Sequence, residues 1–291
     1  MPMPPELNHI VLTRFNLVGI GGEKSPQEWQ RWNEHRFRIF KAYCLPSMLQ
    51  QSAPYSWHLY FDVQTPDQHL ADIEQLKQYP FIRVFFMKGK EEFFGTHMEQ
   101  IRKSILERKG WLITTRVDND DCLHRDALAW IQRRFRSTDM LLINLSSGYT
   151  FNLESRILSH YYYLKSPFMS LVEDLGKDTL SGIFSKRHTH WEPGKAAPWG
   201  RLIREAITGR GTHSYVVSHP GWLQLVHEEN VSNDERRGLP VLRKRSLEDY
   251  GISDQNKPAS VRMIPGYYHF IWWKRYLKGW ILMVVHRLRG L

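Results

Sequence analysis

Three carboxylates fall within four residues at the end of one apolar run: WLITTRVDNDD occupies residues 111–121, and Asp118, Asp120 and Asp121 close it. Like charges held this close raise one another's pKa unless a cation lies among them. A hard divalent ion, Mn²⁺ or Mg²⁺, suits such oxygen ligands and is commonly shared between one or two carboxylates and substrate phosphates. The competing assignment is a solvated turn in which Asp121 caps a helix starting at Leu123. Asp62 closes a second apolar run, where a carboxylate can accept from a base N–H or a ribose hydroxyl, or simply hold a turn. Thr13 and Arg14 end a third run, and Arg116 lies in the first. An arginine at such a place can neutralise a diphosphate or make an ordinary surface ion pair. Glu173 and Asp174 follow PFMSLV (residues 167–172) and suit a general base that takes a proton from an acceptor hydroxyl, with a helix-end pair as the alternative. His188, His190, His219 and His227 are spread through the second half, where a lone histidine is more often hydrogen-bonded structure than a ligand. Gly19, Gly21 and Gly22 match neither the dinucleotide fingerprint nor a P-loop, which argues against NAD and ATP.

These residues need elements to place them. Short β-branched and aromatic runs at 9–15, 57–63, 82–87, 111–117 and 140–145 predict strands. Helical spacing fills the gaps at 26–51, 65–78, 96–109 and 123–136. In the first of these Trp29, Trp32, Phe37, Phe40, Tyr43 and Leu45 recur with Arg31, Glu34, Arg38 and Lys41 between them, an amphipathic helix expected to break near Pro46. Strand alternating with helix predicts an α/β layered fold, a mostly parallel sheet flanked by helices in a single domain. Such sheets bind ligands beyond the C-terminal ends of their strands, where Thr13, Arg14, Asp62 and the acidic cluster all fall. After Ser146 the alternation fades, and Gly, Pro, His and Trp become frequent over 183–200, which predicts a loop-rich remainder of the same domain.

The chain has 291 residues and a formal net charge of +10, with 42% hydrophobic and 24% charged residues. That is the composition of a folded globular body, not of a disordered or fibrous chain. Arg262, Lys274, Arg275, Lys278, Arg287 and Arg289 concentrate the basic excess in the last 30 residues, which hold no acid. A broad nucleic-acid-binding surface is therefore not expected. Cys44 and Cys122 form no disulfide framework or metal-ligand spacing, so a reducing compartment is expected. The N-terminal segment has no secretory pattern, and the apolar stretch at 279–285 is far shorter than the roughly 20 residues of a spanning helix. At about 100° per residue, Phe270, Trp273, Leu277, Trp280, Ile281, Val284 and Leu288 share one face of a helical tail; Lys274, Arg275, Lys278 and Arg289 flank it, and Arg287 lies on the other flank. The expected location is cytoplasmic, with the tail lying on the anionic inner face of the membrane.

Taken together, NHIVLTRFN (8–16), YCLPSM (43–48), YFD (60–62), TTRVDNDD (114–121) and WLQLVHEENVSN (222–233) resemble the rhamnosyltransferase family of bacterial GT-A-type glycosyltransferases. The resemblance spans roughly residues 8–238 and fades after about 240. It implies a nucleotide-diphospho-sugar donor, a divalent cation on a DxD motif, and transfer to a hydroxyl of a surface-glycan or lipid-linked acceptor. β-Linked dTDP-rhamnose would give an α-linkage by inversion. By the same resemblance Asp118 and Asp120 are the DxD, with Asp120 the direct metal ligand and Asp118 on ribose or metal. Asp62 reads the base, Thr13 and Arg14 contact the nucleotide, and His227 completes the metal site, with His188 or His190 as substitutes. Glu173 and Asp174 stand for the catalytic base. The implied organisation is a domain over 1–240, with a nucleotide-binding half at 8–145 and an acceptor side at 146–240, then a linker at 241–266 and the tail at 267–291. The alternatives are a metal-dependent phosphoesterase or nuclease using Asp118, Asp120 and Asp121, and a non-catalytic membrane-associated binding protein.

Overall fold

The computed structural model describes residues 7–105, 109–163, 166–187, 190–191, 213–216, 219–228, 239–241 and 246–253, together with the single positions 277, 280, 281 and 284. In chain order, β1 (Leu7–Arg14), β2 (Ser56–Asp62), β3 (Ile82–Met87), β4 (Trp111–Arg116), β5 (Asp121–Leu123), β6 (Leu141–Leu145), β7 (Ser147–Asn152), β8 (Leu158–Tyr162), β9 (Met169–Asp174), β10 (His213–Val216), β11 (Trp222–Val226) and β12 (Leu239–Pro240) build two sheets. The helices are α1 (Pro26–Ile39), α2 (Leu45–Leu49), α3 (Leu70–Leu76), α4 (Gly89–Ser104) and α5 (Ala127–Arg133).

The larger sheet has the order β10-β6-β9-β4-β1-β2-β3. All neighbours in it run parallel except β9, which is antiparallel to both β4 and β6. This is the expected α/β architecture, and its two faces follow from the side-chain period of 2. Ile10 and Leu12 pack with Tyr60, Leu112 and Leu171 against Phe93 and Ile101 of α4. Val11, Trp57, Leu59 and Ile113 point the other way, against Phe37 and Phe40 and against Leu128 and Ile131 of α5. Each of these large side chains, taken out of water, contributes roughly 1.5–3 kcal/mol to folding.

α1 starts at a capping box: Glu28 donates its backbone N–H to the Ser25 hydroxyl, and the Glu28 carboxylate accepts from Ser25 N–H, with Pro26 in the first turn. The helix does not break at Pro46. It widens into a π turn at Phe40–Cys44 and continues as α2, where Pro46 sits in the first turn and needs no N–H partner. α4 begins at Gly89, ahead of the expected 96. Asp121 caps no helix, because it opens β5, and α5 begins only at Ala127.

The expected loop-rich half is a second sheet instead, with the order β12-β8-β7-β11-β5. β11 runs parallel to β7 and antiparallel to β5, placing Gln224 opposite Asp121. Gly148 on β7 lies under the indole of Trp222, where any Cβ would collide with the ring. Trp222 in turn stacks on Phe168 at 4.8 Å. Leu247, Tyr250 and Ile252 fill the core of this sheet, and Arg125 N–H donates to Asp249 O, so residues 246–253 belong to the body and not to a linker. Among the described residues no helix is long and apolar enough to cross a membrane. The tail at 267–291 lies outside the described residues except at four helical positions. Three of these, Leu277, Trp280 and Ile281, are about half exposed.

Candidate active site

β1 and β4 lie side by side with Leu12 opposite Arg116, so Arg14 to Asn16 and Arg116 to Asp121 leave the sheet together at its C-terminal edge. Thr13 seals this junction: its hydroxyl donates to Val117 O at 2.8 Å and accepts from Trp57 Nε1 at 2.9 Å. Beyond it opens a cavity of about 310 Å³, walled by Arg14, Asn16 and Arg116, by Trp32 and Arg36 of α1, by the acidic cluster and by Gln224 of β11.

Cations and carboxylates alternate around this cavity. Arg116 Nη2 donates to both Asp118 oxygens, at 3.0 and 2.8 Å. Arg36 Nη1 is paired with Asp120 Oδ2 and donates to Asn119 Oδ1 at 3.1 Å. Asn119 is itself pinned by its Nδ2, which donates to Phe15 O at 2.8 Å. The same Asp120 Oδ2 lies 3.2 Å from His227 Nε2, and the other His227 nitrogen lies 3.1 Å from His35 Nε2. Burial pushes the Asp120 carboxyl up, but the hydrogen bond from His227 and the charge of Arg36 outweigh it and hold it below the usual range. At Asp121 the balance goes the other way: burial first, then repulsion from Asp120 and Asp118, outweighs the charges of Arg116 and Arg36 and lifts it well above that range, and its Oδ1 has no hydrogen-bond partner. Arg14 stacks on Phe184, with Cζ 4.3 Å from the ring centroid, while Arg116 lies 5.4 Å from the same ring. Burial lowers the Arg14 pKa to about 10, so it remains a cation at neutral pH.

The structure therefore brings Arg14, Arg116, Asp118, Asp120 and His227 to one place. It does not bring the other expected residues there. Thr13 is fully buried with its hydroxyl spent on the core, so it faces no nucleotide. Asp62 is fully buried, and its carboxylate accepts the backbone N–H groups of Val18, Gln64 and Gly89 at 2.9, 2.9 and 3.1 Å. It ties the loops after β1, β2 and β3 and has no oxygen turned to a base. Glu173 and Asp174 lie opposite Leu112 and Trp111 at the N-terminal end of β4, because β9 runs antiparallel to it. That is the far edge of the sheet from Asp118, about 20 Å along the strand at its usual rise. Glu173 accepts from Ser181 and Gly182 N–H there, and Asp174 accepts from Gly176 N–H. Both close turns, and the expectation of a base at this pair is corrected. His219 stacks on Trp130, His190 is exposed, and His188 lies outside the described residues.

Sequence reasoning missed Arg36 and Phe184. Arg36 falls one turn after Trp32 and one turn before Phe40, on the apolar side of α1, and a charged residue on that side was the available signal. Phe184 carried no signal, since nothing in a sequence joins it to Arg14.

A family model described as "Putative rhamnosyl transferase" matches residues 8–238. Among solved structures, the chain is similar to S. aureus TarS 1-349 in complex with UDP at 12% identity and a TM-score of 0.40, covering 75% of this chain and 60% of that one. It is also similar to the S. aureus TarS crystal structure at 13% identity and a TM-score of 0.39, covering 76% of this chain and 37% of that one. The chain thus spans less than two thirds of these structures, 60% of one and 37% of the other. No curated protein matches it.

Proposed function

The chain belongs to the rhamnosyl transferase family that matches residues 8–238, and from that premise we propose that it transfers a sugar, rhamnose in the family's description, from a nucleotide-diphospho-sugar to a hydroxyl of a surface-glycan or lipid-linked acceptor, with inversion. The observation that carries this reading is the cavity at the C-terminal edge of β1 and β4, where three arginines and the acidic cluster face one another. Arg14 and Arg116 both line this cavity and both lie against the Phe184 ring, and guanidinium groups so placed suit the oxygens of a diphosphate. Trp32 and Ile20 offer apolar surface in the same cavity for the rest of the donor.

The side chains also suit a divalent ion. Two ligands in adjacent positions around Mg²⁺ stand about 3 Å apart, given bonds of about 2.1 Å, and Asp120 Oδ2 and His227 Nε2 stand at 3.2 Å. Among the described residues no set of three or more His, Cys, Asp or Glu side chains converges, so phosphate and water would supply the other positions, as is usual for Mg²⁺. Asp120 and His227 would hold the ion, with Asp118 beside it on ribose or metal. Once bound, Mn²⁺ or Mg²⁺ neutralises charge that develops on the leaving diphosphate. Arg14 and Arg116 share that task, and because burial fixes them in advance they need no reorganisation when the bond breaks.

In this reading the enzyme works at the cytoplasmic face of the membrane. The half-exposed Leu277, Trp280 and Ile281, helical and close to basic residues in sequence, support an apolar face set into an anionic lipid surface. The test is to incubate the protein and Mn²⁺ with dTDP-rhamnose and other nucleotide sugars, and separately with a single-stranded oligonucleotide. Release of nucleoside diphosphate from one of the sugars supports the proposal. Cleavage of the oligonucleotide with every nucleotide sugar left intact overturns it in favour of phosphodiester chemistry.

A further inference from the structure

Arg36 occupies the oxygen on which the ion reading depends. Its Nη1 is paired with Asp120 Oδ2, the atom that also faces His227 Nε2. The pair is almost wholly withdrawn from water, with side-chain exposures of 10% for Arg36 and 9% for Asp120. The guanidinium cannot simply swing into solvent. Asn119 Oδ1 receives it at 3.1 Å, the Trp32 ring lies 5.1 Å from its Cζ, and α1 is anchored at its start by the Ser25 capping box. Arg36 Nε is buried with no hydrogen-bond partner, and the side chain lines the cavity.

A dication arriving alone would have to share Asp120 Oδ2 with this cation or displace it. Either way it would sit a few ångströms from a buried guanidinium, with Arg14 and Arg116 on the same cavity and no added anion. Like charges so placed repel strongly where water is excluded. A nucleoside diphosphate changes the balance. It adds at least two negative charges and gives the unused Arg36 N–H an oxygen to bind, in a charge-assisted bond of the kind arginine makes with phosphate.

We infer that Arg36 is a donor-binding residue that makes the divalent ion and the nucleoside diphosphate bind together: it closes Asp120 to the ion alone and passes to a diphosphate oxygen when the donor enters. The inference rests on the donor-and-ion reading above. It predicts reciprocal coupling, because a ligand that helps a second one bind is helped by it to the same extent.

The test follows Mn²⁺ by electron paramagnetic resonance, with no turnover involved. Wild-type protein is titrated with Mn²⁺ alone and with Mn²⁺ plus UDP, dTDP or GDP, each corrected for the Mn²⁺–nucleotide complex without protein. The expected result is at least tenfold tighter Mn²⁺ binding with one of the three diphosphates present. In Arg36→Gln, Mn²⁺ alone should bind at least tenfold more tightly than in wild type, and Arg36→Lys should stay closed. Wild type that binds Mn²⁺ alone as tightly as with its diphosphate overturns the inference, and this arm needs no variant to fold. Arg36→Gln that folds, judged by its melting curve, yet gains no Mn²⁺ affinity overturns it too. If wild type binds no Mn²⁺ with any of the diphosphates, the donor-and-ion reading itself fails, and the role of Arg36 falls with it.

Discussion

A cation packed on an aromatic ring and buried with its Nε unsatisfied, as Arg14 is on Phe184, is costly to fold around and so marks a place where an anion is awaited. Arg14→Met keeps the apolar stem but removes the charge. It should raise the Kd for the nucleoside diphosphate about tenfold to a hundredfold, the usual worth of a charged hydrogen bond, with no loss of melting temperature. Calorimetric titration checks this, and an unchanged Kd would remove Arg14 from the site. Glu173 makes the opposite case. It closes a turn at the far end of β4, so Glu173→Gln should lower stability by about 1 kcal/mol and leave turnover within about twofold of the parent. The acidic cluster and Arg116 were legible in the sequence because they end an apolar run, where an open α/β sheet places its ligand site. Asp62 and Thr13 looked the same in sequence, and only the structure shows their oxygens spent on backbone N–H groups, a carbonyl and an indole. The approach of His227 to Asp120, 107 positions away, was accessible through family resemblance alone.

At the scale of elements, the parallel strands were legible because each is a short apolar run bounded by turn residues. The second sheet was not. β7 reads SGYTFN and β8 reads LSHYY, sequences without a clean period because both of their faces are largely buried, and β5 has only three residues. What fixes that sheet is long-range fit, such as Trp222 lying across Gly148. Gly148→Ala should therefore cost about 1–3 kcal/mol in urea unfolding, the usual penalty for overpacking, and a neutral result would mean that β7 and β11 are not paired as described. The larger sheet carries a pH signature. His9 and His58 are buried in β1 and β2, and burial lowers the pKa of each to about 3. A histidine kept neutral when folded takes up a proton on unfolding, so its contribution is intact above the unfolded value of about 6.5 and is lost as pH falls toward about 3. Stability should drop by roughly 1.4 kcal/mol per pH unit for each of them in that window. Urea midpoints at pH 7 and pH 4.5 should separate, and His58→Leu should narrow the gap. A gap unchanged by the substitution would show that His58 already titrates normally.

For the whole molecule, the uneven charge noted in the sequence and the half-exposed Leu277, Trp280 and Ile281 belong to one expectation about location. Deleting residues 267–291 should abolish sedimentation with anionic liposomes at low salt and spare activity on a soluble acceptor, since each Lys or Arg near such a surface adds about 1 kcal/mol. Loss of folding on deletion would place the tail in the core instead. At the C-terminal sheet edge β1, β4 and α1 deliver arginines and carboxylates to one cavity, with His227, just after β11, against Asp120, and this cavity is expected to bind a nucleoside diphosphate through a divalent ion on Asp120. The most direct measurement is the melting temperature of wild type and Asp120→Asn with UDP, dTDP and GDP, each with and without Mn²⁺. A ligand that binds only the folded state raises stability by about 2.7 kcal/mol at a hundred times its Kd. One diphosphate should raise the wild-type melting temperature by several degrees in Mn²⁺ and much less without it, and Asp120→Asn should lose the Mn²⁺-dependent part while its unliganded curve stays cooperative. An equal shift in both proteins, or no shift with any diphosphate, would contradict the assignment.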